Sequence, residues 1–188
     1  MEAKELVKFG LENTKKITDK TLDGLTPAEL SWHPKPDANS IGLIIFHMAR
    51  SEDGFVNHII QGKTPIWETG KWYLKLNKDI KDTGAHYTAE QVNNFIVPDL
   101  KDIQAYADTV RKQTLKYLKD LTPEDMDRKV VLPPPPQPPK NADGTTPPPH
   151  KPPFENIVGI LLLYTVSHLA EHAGEISYIR GLKRGLDK

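Results

Sequence analysis

Apolar positions recur at three- and four-residue steps in four stretches of this chain, and the segments between them are dense in Pro, Gly, Asn and Thr. That pattern predicts amphipathic helices joined by loops. The first helix runs from about Glu2 to Leu22, with a stripe of Leu6, Phe9, Leu11, Thr14, Ile17 and Leu22, before Gly24 and Pro27 interrupt it. Ser40 is placed to cap the second, where Ile41, Ile44, Ile45, Met48, Phe55 and Ile59 form the stripe and Gly62 the end. A third begins after Thr88, carries Val92, Phe95, Ile96, Leu100, Ile103, Tyr106, Val110, Thr114 and Leu118, and is kinked or split by Pro98. The fourth starts near Phe154 and carries Ile157, Val158, Leu161, Leu162, Thr165, Leu169, Ile176 and Ile179 before Gly181. With little strand signal and no internal repeat, the expectation is an all-α, four-helix bundle with long inter-helix loops. At 188 residues, one domain spanning residues 1–188 is the simplest partition.

Two connectors are unusually long. Residues 133–153 hold 11 of the chain's 17 prolines, which excludes helix and central strand and favours extended polyproline II. Such a strap either joins two helices rigidly or serves as a ligand for a proline-reading domain; the runs Pro133–Pro136 and Pro147–Pro149 lack the nearby Arg that orients such ligands, so the joining role is expected. The other connector, residues 63–87, contains Trp67, Trp72, Tyr73, His86 and Tyr87, which either cover a pocket or, as is expected here, the end of the helical core.

The chemistry concentrates in Ser167-His168-Leu169-Ala170-Glu171-His172-Ala173-Gly174-Glu175-Ile176. A spacing of four returns to nearly the same helix face one turn along, so both imidazoles can reach one point. Two histidines make an incomplete site for a zinc-like ion, which takes three or four protein ligands. His47 is the best third: it sits amid Ile44, Ile45, Phe46 and Met48, where an unpaired polar ring costs about 1–3 kcal/mol. One such histidine alone would read as a core residue bonded to a carbonyl; three on two core-facing helices read as a metal site. Glu175 shares the stripe of His168 and His172 and could orient a ligand imidazole, and Ser51 is better placed than Glu52 to stand beside His47. His58 lies about 16 Å along the helix from His47, and His33, His86 and His150 fall in loops; none is expected at the site.

Two other motif readings fail. His168-Leu169-Ala170-Glu171-His172 matches the inverted zinc-peptidase pattern, but Glu171 points off the ligand face and only Glu175 and Asp187 follow as further ligands. Di-iron helical proteins need Glu-x-x-His steps, and the chain has none. Glycine patterns for nucleotides are also missing.

Composition narrows the partners. The 25 basic residues balance 25 acidic ones, leaving no field to gather nucleic acid or anionic lipid. The start lacks a signal-peptide pattern and no apolar run is long enough to span a bilayer, so a soluble, cytoplasmic protein is expected. With no cysteine, a metal must be held by His, Asp, Glu or backbone oxygen; zinc, nickel, iron or manganese would suit.

Leu30-Ser31-Trp32-His33-Pro34 leading through Ser40-Ile41-Gly42 to His47, followed by His168-x-x-x-His172-x-Gly174-Glu175-Ile176, resembles the DinB/YfiT-like superfamily of metalloenzymes. The resemblance implies a four-helix bundle and a divalent ion held by His47, His168 and His172, with homodimers common. It also implies a small-molecule substrate: characterised relatives transfer low-molecular-weight thiols such as bacillithiol or glutathione to electrophiles, or isomerise maleylpyruvate with mycothiol. The proline-rich connector departs from a compact helix connection. The expected function is therefore a metal-dependent enzyme, a thiol S-transferase or a small hydrolase, with a non-catalytic metal-binding sensor or interaction module as the alternative. Three imidazoles leave coordination positions open, where an ion can lower the pKa of water or bind a thiol as thiolate.

Overall fold

The computed structural model describes residues 2–132 and 155–185. Among them the chain is all-α, with no strand beyond an isolated antiparallel bridge between Lys129 and Ile157. Three long helices, α1 (Ala3–Leu22), α7 (Leu100–Asp120) and α9 (Val158–Arg184), and the rod that begins with α3 (Ile41–Glu52) carry most of the core. Short helices fill the connections: α2 (Pro27–Leu30), α4 (Ile66–Thr69), α5 (Trp72–Lys75), α6 (Ala89–Asn93) and α8 (Pro123–Met126). α9 packs against both α1 and α3, and α3 also packs against α7. The proline-rich 133–153 lies outside the described residues, and the fourth helix, expected from near Phe154, begins at Val158 with Ile157 as its N-cap.

Local chemistry accounts for most boundaries. Ser40 caps α3, its hydroxyl accepting from Leu43 N at 3.3 Å. Pro98 splits the third predicted helix: α6 ends at Asn93, and α7 restarts behind Asp99, whose carboxylate accepts from Lys101 N at 2.8 Å. α2 and α8 were not anticipated from the sequence, yet each starts with Thr-Pro and a reciprocal capping box, Thr26 with Glu29 and Thr122 with Asp125.

Three expectations are corrected. The fourth helix does not stop before Gly181 but runs to Arg184, and Gly185, at φ +80°, is the residue that ends it. α1 buries Val7, Leu11, Thr14, Thr21 and Leu22, leaving Leu6, Phe9 and Ile17 exposed. Thr14 and Thr21 return their hydroxyls to Gly10 O and Ile17 O, so they pack as apolar residues would, and Thr21 joins Val7 in the core beyond the expected stripe. The second helix is not α-helical throughout: beyond Glu52 it widens to π geometry over Asp53–Ile60, with Gln61 N donating to Val56 O five residues back.

The 63–87 connector packs its aromatics against the core. Trp67 is fully buried, its ring 5.7 Å from Phe46 and 5.4 Å from Tyr106, and its indole N–H donates to Ile80 O at 2.8 Å. Asp53, with no exposed surface, fastens the connector down. Its carboxylate accepts from Ile66 N (2.9 Å), Trp67 N (2.8 Å), Asn57 Nδ2 (2.9 Å) and Tyr106 OH (2.7 Å). Glu52, beside it, turns away from the histidines to a bidentate pair with Arg111 at 2.8 and 2.7 Å.

Candidate metal centre

α3 and α9 lie side by side, and that packing brings His47 to His168 and His172. His47 stands two turns below the Ser40 cap, between the buried Phe46 and Met48. His168 and His172 are one turn apart on α9, whose neighbouring Leu169, Ala173 and Ile176 are in the core. All three rings are half-buried, each offers a ring nitrogen, and these nitrogens lie within 4.8 Å of one another. His47 Nε2 and His168 Nε2 are 3.4 Å apart.

The surroundings fix which nitrogen carries hydrogen. A carbonyl only accepts, so the 3.1 Å contact between His47 Nδ1 and Thr83 O makes Nδ1 the N–H and leaves Nε2 with its lone pair. His172 Nδ1 likewise donates to the Glu175 carboxylate at 2.8 Å, freeing its Nε2. Glu175 in turn accepts from Asn39, and the His172 hydrogen bond holds its carboxyl below the usual range against the opposing effect of burial. Ser51 Oγ is 3.2 Å from His47 Nε2, so Ser51 and Glu175 are each in contact with one of the histidines.

His168 differs from the other two. Its Nδ1 is buried with no partner, and the rings of Phe55 and Tyr164 pack 6.0 and 6.2 Å from its own. Burial, followed by the neighbouring His172 and His47, pushes its pKa down to about 4. His47 is lowered as well, by burial first, with the Thr83 contact opposing. Burial that favours neutral rings at His47 and His168, beside a His172 whose Nδ1 is turned to Glu175, suits a borderline divalent cation. Without a cation or a proton between them, lone pairs on facing ring nitrogens repel.

The remaining histidines stay outside. His33 Nδ1 contacts Ala38 O at 2.6 Å, His58 is exposed near Lys63 O, and His86 is exposed at φ +58°. His150 lies outside the described residues, and Glu171 is exposed on α9. Sequence reasoning missed Thr83 and Asn39: a backbone carbonyl has no residue signature, and Asn39 reads as an ordinary loop residue before a cap. A cavity of about 520 Å³ has Thr83, His86, Tyr87, Lys78 and Gln91 in its wall. A smaller one, about 70 Å³, lies between α1, α3 and α7 with no histidine in its wall.

No curated protein matches the chain in sequence. Among solved structures, a conserved protein from Enterococcus faecalis is similar in fold, with a TM-score of 0.73 at 20% identity over 97% of each chain. The model of the DinB superfamily matches residues 11–176, a span that contains all three histidines, and the chain therefore belongs to the DinB superfamily.

Proposed function

We propose that this protein is a metal-dependent enzyme whose centre is a divalent ion held by His47, His168 and His172. The observation that carries the reading is the pair of outward hydrogen bonds, His47 Nδ1 to Thr83 O and His172 Nδ1 to Glu175, which commit both Nε2 atoms as donors. Membership of a superfamily whose members often bind metal supports it. Zinc, nickel, iron or manganese fits the all-imidazole donor set. A bound ion of this kind supplies Lewis acidity and a nucleophile at neutral pH.

The substrate class is a low-molecular-weight thiol transferred to an electrophile, or a small hydrolysable compound. The chain's lack of cysteine means that any thiol in the reaction comes from the substrate. The 520 Å³ cavity beside the connector, whose wall includes Thr83 but none of the three histidines, is large enough for such a molecule. We read the long helices as a single-domain four-helix bundle. Leu6, Phe9 and Ile17 on α1 and Leu163, Tyr178 and Leu182 on α9 leave apolar surface for a homodimer. A cytoplasmic setting fits the absence, among the described residues, of any helix long and apolar enough to cross a membrane. The second reading, a non-catalytic metal-binding sensor or interaction module, draws on the crowding of His168 by Phe55 and Tyr164.

Metal content by mass spectrometry tests the centre, on untagged protein purified without chelators or nickel resin, wild type beside His168→Ala. About one ion per chain in wild type and none in the variant is expected. No ion in wild type, even after reconstitution, would leave the histidines as core residues.

A further inference from the structure

We infer that the turn at residues 82–87 is the positioning element of the metal centre, with Asp82 and Gly84 as the residues that aim the His47 imidazole. This rests on the proposal that the three histidines bind metal. The turn's contribution is a peptide carbonyl: Thr83 O receives the His47 Nδ1–H, and the direction of that carbonyl sets the tautomer and tilt of the ring.

The carbonyl is held from both sides. Downstream, Gly84 has φ +69°, and its backbone lies so close to α3 that a Cβ would sit 3.0 Å from Phe46 Cδ1, 3.1 Å from His47 Cβ and 3.2 Å from His47 Cα. Both the left-handed backbone and the close approach call for glycine. Upstream, Asp82 closes the turn on itself, its Oδ1 accepting from Gly84 N at 2.9 Å and from Tyr87 OH at 2.6 Å. The Asp82 carbonyl accepts from Arg50 Nε at 2.9 Å.

Arg50 makes this a register device. It lies one helical turn beyond His47 on α3 and is buried, with its guanidinium 4.4 Å above the Trp67 ring and Nη1 donating to Tyr106 OH at 3.2 Å. Two adjacent residues of the turn, Asp82 and Thr83, are thus pinned through their carbonyls to two side chains of the helix that carries His47. A ring anchored that way presents Nε2 in one direction, and loosening the turn frees it to rotate.

The test is Co(II) binding by Gly84→Ala, measured by competition with a chromophoric chelator and by the visible d–d spectrum. Gly62→Ala is the control: Gly62 has a similar φ of +64° but nothing within 4 Å of its Cβ position. Gly84→Ala should bind Co(II) at least ~10-fold more weakly with altered d–d bands, while Gly62→Ala keeps the wild-type affinity and spectrum. If both variants merely lower the urea midpoint and bind Co(II) as wild type does, the turn is structural only and the inference is overturned. Should Gly84→Ala not fold, Tyr87→Phe decides: a weaker, spectrally altered centre supports the inference, and a wild-type one overturns it. Wild-type protein that takes up no Co(II) overturns the metal centre itself and this inference with it, an outcome distinct from variants that bind normally.

Discussion

Asp53→Asn should cost about 3–5 kcal/mol of stability. The carboxylate has no exposed surface and each oxygen is shared by two donors: Oδ1 by Asn57 Nδ2 and Ile66 N, Oδ2 by Trp67 N and Tyr106 OH. An amide of the same shape keeps one accepting oxygen and turns an NH₂ toward the other pair. In its better orientation the NH₂ faces Trp67 N and Tyr106 OH, where the Tyr106 hydroxyl turns to accept from it, so the Trp67 N–H bond is lost outright and the remaining bonds lose the charge of their acceptor. Hydrogen bonds to a charged group contribute about 1.5–3 kcal/mol each, so one lost bond and the weakened others give the figure above. An independent route agrees: Arg50, 3.8 Å from Oδ2 and itself buried, loses its counter-charge, and stripping one partner from a buried pair costs about 3–5 kcal/mol. The assay is urea unfolding of metal-free protein followed by circular dichroism, so that metal binding to the native state does not mask the change. A loss below about 1 kcal/mol would refute the claim that Asp53 fastens the connector.

Glu175→Gln keeps an acceptor for His172 Nδ1–H but removes the charge at 2.8 Å; Zn(II) affinity in a chelator competition should fall ~10-fold, and unchanged affinity would remove Glu175 from the centre. The metal-free protein should lose stability on acidification in a defined window. Burial holds His168 at about 4 and lowers His47 from the ordinary 6.5, so between those values the unfolded chain binds protons that the folded chain refuses. Stability is then fully present above about pH 6.5 and declines toward about pH 4. Urea midpoints across that range should fall, less steeply in His168→Ala, and a midpoint that holds or rises would contradict the burial of these rings as neutral groups.

What could be read from the sequence and what could not divide along a physical line. The grouping of His47, His168 and His172 was legible because a four-residue spacing within an apolar run fixes the shared face of His168 and His172 whatever the loops do, and His47 stands in a second apolar run that packs beside it. Ser51 and Glu175 followed from the same helical geometry. The readings that failed did so where tertiary packing overrode pattern: in α1, Val7 and Thr21 took core positions that the expected stripe gave to Leu6, Phe9 and Ile17, and the π-helical stretch from Asp53 onward broke a periodicity that assumes 3.6 residues per turn. The support of His47 was hidden for another reason. It is supplied by the carbonyl of Thr83, 36 residues away, and by a glycine whose left-handed turn reads in the sequence as one more loop residue. A related chain could keep all three histidines and lose glycine at position 84. By motif it would have the same centre, yet the steric contact with His47 predicts a differently aimed ligand, so residue 84 is as informative as the histidines when the centre's properties are to be compared.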